Sequence, residues 1–143
     1  MEVALTMGVP TIVVPGATSI LVTSTEDGQS PKFDGRKKYK HNPEITLIAL
    51  SVEEMRIVAK TFAEKLNKSI GKVKFLFPKK GSASQDKEGL SLWNPDGNKA
   101  FLEELKANLR KDIELIEIDA HINDEEFANI ALEQLIEVIG NQN

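Results

Sequence analysis

The segment Asp119-Ala120-His121-Ile122-Asn123-Asp124 contains the densest group of side chains that could carry out chemistry. It lies between an apolar run, Ile113 to Ile118, and a helical pattern that begins at Glu125. In α/β proteins such a junction of strand, turn and helix is where ligands bind. A histidine can transfer protons near neutral pH, and a nearby carboxylate can orient its ring. We therefore take His121 and Asp119 as candidate catalytic residues, with His121 as general acid or base.

A second polar turn offers groups that suit an anionic ligand. Lys79-Lys80-Gly81-Ser82 combines two cations, a flexible backbone and a hydroxyl directly after the apolar run Val73 to Phe77. Polar residues of the same loop and of two other turns complete a set of candidate ligand-binding residues. The set consists of Lys80, Gly81, Ser82, Asp86, His41, Asn42, Asn123 and Asp124.

Simpler interpretations compete with several of these assignments. Asn123 and Asp124 are also well placed to cap the following helix, where their oxygens would accept backbone N–H bonds. Ser82, His121 and Asp119 would make a hydrolase triad, but the chain lacks the GxSxG nucleophile elbow. No dense ligand spacing such as HExxH occurs either, so we assign no metal ligand.

Four apolar runs predict β-strands and alternate with helices along the second part of the chain. Ser51 and Glu54 have the spacing of a capping box that starts one helix, and Asn94-Pro95 starts another. The last helix is predicted over about Asp124 to Ile139. The strand-like runs are Val9 to Gly16, Ile45 to Leu50, Val73 to Phe77 and Ile113 to Ile118.

This alternation predicts an α/β fold in three layers, with an open, mainly parallel sheet of about four strands and flanking helices. Met1 to Met7 resembles the last turns of a helix, so we expect a domain that is truncated at its N-terminus. The turns after Val14, Phe77 and Ile118 should meet at the carboxyl ends of the strands. The stretch from Gly16 to Pro43 is too long for a simple connection, which favours a functional or partner-docking loop.

Composition indicates one α/β domain over residues 1–143. The absence of cysteine excludes disulfides, thiolate metal sites and a cysteine nucleophile, and it fits a cytoplasmic location. The apolar runs are too short to span a bilayer, so no membrane association is expected. A net charge of -4 argues against nucleic acid as a partner, although basic residues cluster between Lys32 and Lys40.

Four segments carry a resemblance to one protein family. They are HNP at His41 to Pro43, FPKKGSASQD at Phe77 to Asp86, NPDGNKAF at Asn94 to Phe101 and IELIEIDAHINDEEFA at Ile113 to Ala128. The chain resembles the carboxyl-terminal subdomain of the tobamovirus-resistance-type ATP-binding proteins, whose bacterial and archaeal members form an uncharacterised family. The likeness runs from about Val9 to Ile139. It implies that the chain corresponds to the last third of a larger protein with two α/β subdomains.

The cofactor is unknown from the sequence. The resemblance implies ATP binding in the amino-terminal region of the family, and we assign no ATP to this chain because it has neither GxxxxGK[ST] nor GxGxxG. Two functions stay open: a ligand-binding or regulatory subdomain with an anion site at the strand carboxyl ends, or a hydrolase- or lyase-type enzyme that uses His121. The open sheet edge predicts a partner, either a second copy or a separate N-terminal subdomain chain.

Overall fold

The computed structural model describes residues 1–140. These residues form four α-helices and six β-strands, with two short 3₁₀ turns between the second and third strands. The elements in chain order are α1 (Glu2–Thr6), β1 (Thr11–Val13), β2 (Ile20–Ser24), β3 (Lys38–Lys40), β4 (Ile45–Ala49), α2 (Val52–Leu66), β5 (Val73–Pro78), α3 (Pro95–Asn108), β6 (Glu114–Ile118) and α4 (Glu125–Gly140).

The first sheet consists of three parallel strands in the order β1, β5, β6. Thr11 is paired with Val73 on one side of the central strand, and Phe75 is paired with Leu115 on the other. Every residue of β5 is buried, which explains why this strand reads as a nearly continuous apolar run. The predicted α/β class is confirmed, with helices on both faces of a parallel sheet.

The two faces of this sheet have separate cores because successive residues of β5 point in opposite directions. Phe75 and Phe77 face α2 and α3, where Phe77 stacks on Phe101 with ring centroids 5.7 Å apart. Leu76 faces α4 and packs with Phe127. The sheet is therefore the middle layer, and the end of β5 lies between two helix layers.

The predicted helix starts are confirmed. The Ser51 hydroxyl accepts a hydrogen bond from the Glu54 N–H, and the Glu54 carboxylate accepts one from the Ser51 N–H. The Asn94 side chain accepts from the Gly97 N–H, with Pro95 as the first residue of α3. At the last helix Asp124, and not Asn123, directly precedes the first helical residue.

The second sheet differs from what the sequence predicts. Strand β4 does not join the parallel sheet but lies between β2 and β3 in an antiparallel sheet of its own. The parallel sheet accordingly has three strands. The stretch from 16 to 43, predicted as a functional or partner-docking loop in which only Ser19 to Thr23 is strand-like, supplies both outer strands of this sheet. The strand β3 is difficult to recognise in the sequence because it is only Lys-Tyr-Lys, a short and charged edge strand.

Within residues 1–140, no helix is both long enough and apolar enough to cross a bilayer.

Candidate functional site

Three loops meet at the carboxyl edge of the parallel sheet, as the topology predicts. The Lys80 N–H donates to the Ala120 carbonyl and the Ile122 N–H donates to the Gly81 carbonyl, so the loops after β5 and β6 continue as neighbours. The Ala17 N–H, in the loop after β1, donates to the Ser82 carbonyl over 2.8 Å. The residues near 80 and near 120 thus lie on one edge of the sheet, which was the central geometric expectation from the sequence.

Gly81 is required by the close approach of these loops. Its φ is +113°, and a Cβ atom at this position would lie 1.6 Å from the Asp86 carbonyl oxygen and 3.1 Å from the His121 ring. No side chain fits there without moving backbone. The packing of this loop therefore requires glycine at position 81.

Asp86 is a buried organiser of the loop between β5 and α3, with no exposed surface. Its carboxylate accepts hydrogen bonds from the Ser82 N–H at 3.2 Å, the Asn94 N–H at 3.3 Å and the Asn98 amide at 3.2 Å. The Ser82 hydroxyl is also buried and bonds to Asp86 and to Ser19. Both side chains are therefore hydrogen-bonded inside the protein, and the ligand-binding roles of Ser82 and Asp86 stay predictions.

His121 is also a structural residue, with only 2% of its surface exposed. Its Nε2 lies 3.0 Å from the Ala83 carbonyl oxygen, and its Nδ1 accepts a hydrogen bond from the Asn123 N–H. Both ring nitrogens therefore have backbone partners within the loops. The predicted use of His121 as a general acid or base stays a prediction, and the ring in this structure is held by backbone groups.

Asp119 does not orient His121. Its carboxylate is largely exposed and forms a surface ion pair with Lys80, at 3.3 Å. Such a pair contributes little to stability. Asp119 and Lys80 therefore lie near each other, as expected, but outside any enclosed site.

Asp124 acts as a local structural acceptor at the start of α4. Its carboxylate accepts a hydrogen bond from the His121 N–H at 2.9 Å and pairs with Lys87 at 3.4 Å. The His121 N–H is the main reason that the pKa of Asp124 is lowered, and Lys87 adds to the effect. Asn123 is exposed beside it. The Asp124 carboxylate therefore stabilises the turn that leads into α4.

His41 and Asn42 lie away from the other candidates, in the turn between β3 and β4. Asn42 Oδ1 accepts from the N–H groups of Glu44 and Ile45, which is a turn-forming role. The other end of β4 adjoins the site, since the Leu50 N–H donates to the Ser19 carbonyl. Five residues of extended chain place the His41 turn about 17 Å from that end. The structure does not bring His41 and Asn42 into the site.

The concave surface at this edge lies beside the start of α3. It encloses about 220 Å³, and we call it the Trp93 recess. Its apolar walls consist of Phe77, Trp93, Pro95 and Leu102. Its polar atoms belong to Lys79, Asn98 and Lys99. Asn98 is fixed from behind by its hydrogen bonds to Asp86. The buried Asp86 network therefore supports the surface of the recess.

Lysine side chains surround Trp93. Lys79 has no ion pair among the contacts of residues 1–140, and Lys99 has only a distant one, 3.9 Å from Glu103. The Lys37 ammonium donates to the Trp93 carbonyl and ties this loop to the second sheet. Asp96, exposed in the first turn of α3, is an acidic residue nearby in the chain. The recess therefore presents weakly neutralised positive charge beside an aromatic ring.

The sequence suggested Lys80 as the lysine of the site, whereas the neighbouring residue Lys79 is the one that faces the recess. Lys79 continues the series Phe75, Phe77 on the α3 face, whereas Lys80 points the other way and meets Asp119. A usable signal was present in Trp93, which directly precedes the helix cap Asn94, where an apolar residue commonly packs against the first turn. Lys99 follows one turn later on α3.

No group of three or more histidine or acidic side chains in the described part of the chain is arranged to hold a metal ion. The candidate site is thus a small, basic and largely apolar recess, next to a set of buried polar residues that shape it.

Comparison with known proteins places the chain in a family. Residues 1–139 match the model of the Uncharacterised protein family (UPF0261) C-terminal domain. A UPF0261 protein of Clostridium tetani is 33% identical over 140 residues, which is 97% of this chain and 35% of that protein. A UPF0261 protein of Brucella suis is 36% identical over 132 residues, 92% of this chain and 32% of that protein.

A plant protein is also similar. The ToMV resistance protein Tm-1 of Solanum lycopersicum is 29% identical over 132 residues, which is 91% of this chain and 18% of the tomato protein. The chain spans about a third of the length of the two bacterial relatives. Because the family model matches nearly every residue, the chain belongs to the UPF0261 family and corresponds to its C-terminal domain.

Proposed function

We propose that this domain binds a small anionic ligand in the Trp93 recess. The observation that carries the proposal is the presence of two lysines, Lys79 and Lys99, on one concave surface without a close carboxylate partner on either. Ammonium groups in such a setting attract carboxylate, sulfonate or phosphate groups. The location also agrees with the general rule that open α/β sheets bind ligands at the carboxyl ends of their strands.

A binding role fits this recess better than catalysis by His121. The two ring nitrogens of His121 are occupied by backbone groups, and the carboxylates of Asp86 and Asp124 accept bonds from their own loops. All of these groups already have hydrogen-bond partners within the protein. Lys79 and Lys99, in contrast, keep donors that point to solvent.

The electrostatic part of the proposal can be tested with the single tryptophan of the chain, Trp93. Relative to the neutral compound N-acetyltryptophanamide, its fluorescence should be quenched more strongly by iodide than by caesium, by about threefold, because nearby ammonium groups concentrate anions. The protein as a whole has a net charge of -4, which would favour caesium if charge near Trp93 were unimportant. Acrylamide, which is neutral, serves as the reference for accessibility.

The matched variants are Lys79→Met with Lys99→Met, and Lys60→Met as a control. Lys60 is an exposed lysine of α2 outside the recess. The double variant should lose the preference for iodide, whereas Lys60→Met should keep it. Equal or stronger quenching of the wild-type protein by caesium would refute the proposed anion site.

We also propose that the domain works with a second α/β domain, which the remaining part of the family protein supplies. The bacterial relatives are about three times as long as this chain. Within residues 1–140, β1 is paired on one side only, with β5. On α4 an apolar stripe at helical spacing is exposed, and it consists of Leu132, Leu135, Ile136 and Ile139. Stripes of this kind are normally covered by another helix or sheet.

A further inference from the structure

The apolar lining of the Trp93 recess, together with its charge, indicates the kind of ligand that fits it. Four of its seven lining residues, Phe77, Trp93, Pro95 and Leu102, are apolar. An inorganic anion is normally held by several converging N–H or hydroxyl groups, whose hydrogen bonds replace those that water makes to the free anion. Apart from the Trp93 indole N–H, the uncharged polar side chain that lines the recess is Asn98, whose amide already donates to Asp86.

The size of the recess sets a further limit. A volume of about 220 Å³ is below the range of about 300 to 1,000 Å³ that is common for sites of drug-sized molecules. It exceeds the roughly 150 Å³ of an apolar cavity that accommodates one benzene molecule. One ring, or an aliphatic group of similar size, therefore fits with an anionic group at the mouth.

The arrangement of the lysines agrees with such a two-part ligand. Lys79 and Lys99 are exposed, so their ammonium groups lie towards solvent, while Phe77 is buried at the base of the same surface. Trp93 is half-buried between these environments. Its flat ring offers a stacking surface, and its loop is held in place by Lys37.

We infer that the natural ligand class is a small amphipathic anion: a ring or compact apolar body that packs on Trp93, bearing a carboxylate, sulfonate or phosphate that meets Lys79 and Lys99. This inference rests on the proposed anion site and specifies what occupies it. The apolar body supplies affinity through burial, and the lysines fix its orientation.

Three related probes separate the two parts of the ligand. Phenyl phosphate has the ring and the anion, methyl phosphate has only the anion, and phenol has only the ring. Binding is measured by calorimetry and by the change in Trp93 emission. Phenyl phosphate should bind at least about tenfold more tightly than methyl phosphate, since a hydrophobic contact of this size gives at least that discrimination. Phenol should bind more weakly than phenyl phosphate by a similar factor.

Variants assign the two effects to residues. In Trp93→Ala, measured by calorimetry, phenyl phosphate should bind no better than methyl phosphate, while Trp93→Phe should retain most of the preference. Lys79→Met with Lys99→Met should weaken both phosphates. Leu102→Ala, on a different element of the recess, should reduce the preference for phenyl phosphate even if Trp93→Ala fails to fold. Circular dichroism verifies the fold of each variant.

The outcomes distinguish this inference from the proposed function. Equal binding of phenyl and methyl phosphate, lost in the lysine double variant, would overturn the amphipathic ligand and leave the anion site standing. Phenol binding as tightly as phenyl phosphate would overturn the anion site. Failure of all three probes to bind at millimolar concentration would overturn both.

Discussion

At the scale of single residues, the polar positions of this domain divide into those that build the site and those that face a ligand. Three polar side chains are buried and hydrogen-bonded to the loops around them: Asp86, Ser82 and His121. In contrast, the side chains of Lys79 and Lys99 are exposed and line the recess. Sequence reasoning correctly placed polar residues near 80 and 120 at one edge. It could not separate the two classes, because burial and hydrogen-bond partners depend on loop paths that the residue types alone do not specify.

The role of Asp86 can be tested by Asp86→Asn. The substitution keeps the shape but replaces one accepting oxygen with a donor, which then faces the N–H groups of Ser82, Asn94 or Asn98. We expect a loss of about 3 kcal/mol in the free energy of unfolding. Urea denaturation measures it, and Asp34→Asn, at an exposed aspartate, should change stability by less than about 0.5 kcal/mol. Equal stability of Asp86→Asn and wild type would contradict the assignment.

At the scale of elements, the helices were predictable and the second sheet was not. The capping residues Ser51 and Asn94 define helix starts locally, so the sequence located α2 and α3 well. Strand β4 has the same apolar pattern as a parallel strand, and only its pairing with β2 and β3 assigns it to the antiparallel sheet. Strand pairing is a long-range property, and periodicity carries no information about it.

The attachment of α4 to the parallel sheet depends partly on a buried lysine. Lys74 of β5 lies 2.9 Å from Glu137 and 2.7 Å from Gln134 on α4, and 3.0 Å from Glu114 on β6. Burial alone would lower the pKa of the Lys74 ammonium, but the hydrogen bonds that it donates to the Glu137 and Glu114 carboxylates outweigh this effect and raise the pKa. The sequence shows Lys74 inside this strand but does not indicate its partners on α4 and β6.

The variant Lys74→Met tests this contact through pH. A raised pKa means that the charged lysine stabilises the fold fully below its ordinary pKa of 10.5, and that this stabilisation is lost as pH rises through the folded-state value. At pH 8 the free energy of unfolding of the wild-type protein should exceed that of Lys74→Met by about 1 to 2 kcal/mol. Above pH 10.5 the difference should shrink. Urea denaturation at pH 8 and pH 11 measures this difference in the free energy of unfolding. The same difference at both pH values would exclude an ionic contribution from Lys74.

At the scale of the whole molecule, the recess and the apolar stripe of α4 lie on different surfaces. The recess lies on the α3 face of the sheet, and the stripe lies on the helix that covers the opposite face. A partner domain on α4 therefore leaves the recess open to a ligand. The sequence indicated that a partner surface exists, but only the packing of α4 shows which of its apolar residues stay exposed.

Co-purification tests the partner proposal. The chain should bind the N-terminal two-thirds of the Clostridium tetani relative when the two are expressed as separate polypeptides. Leu132→Glu with Ile136→Glu should abolish this binding, since charged residues would then face the interface. Glu53→Lys on α2 is a control outside the stripe. A chain that forms a stable dimer by light scattering, dissociated by the same double variant, would show that the surface serves self-association instead.

The most direct test of the central claim is to map ligand contacts on the whole domain by amide chemical shifts during a titration with phenyl phosphate. The largest changes should occur at residues 77–79 and 93–99 and at the Trp93 indole, and they should be reduced in Lys79→Met with Lys99→Met. Changes concentrated in the basic stretch at residues 32–40, or no saturable change at any amide, would contradict the assignment of the Trp93 recess as the binding site.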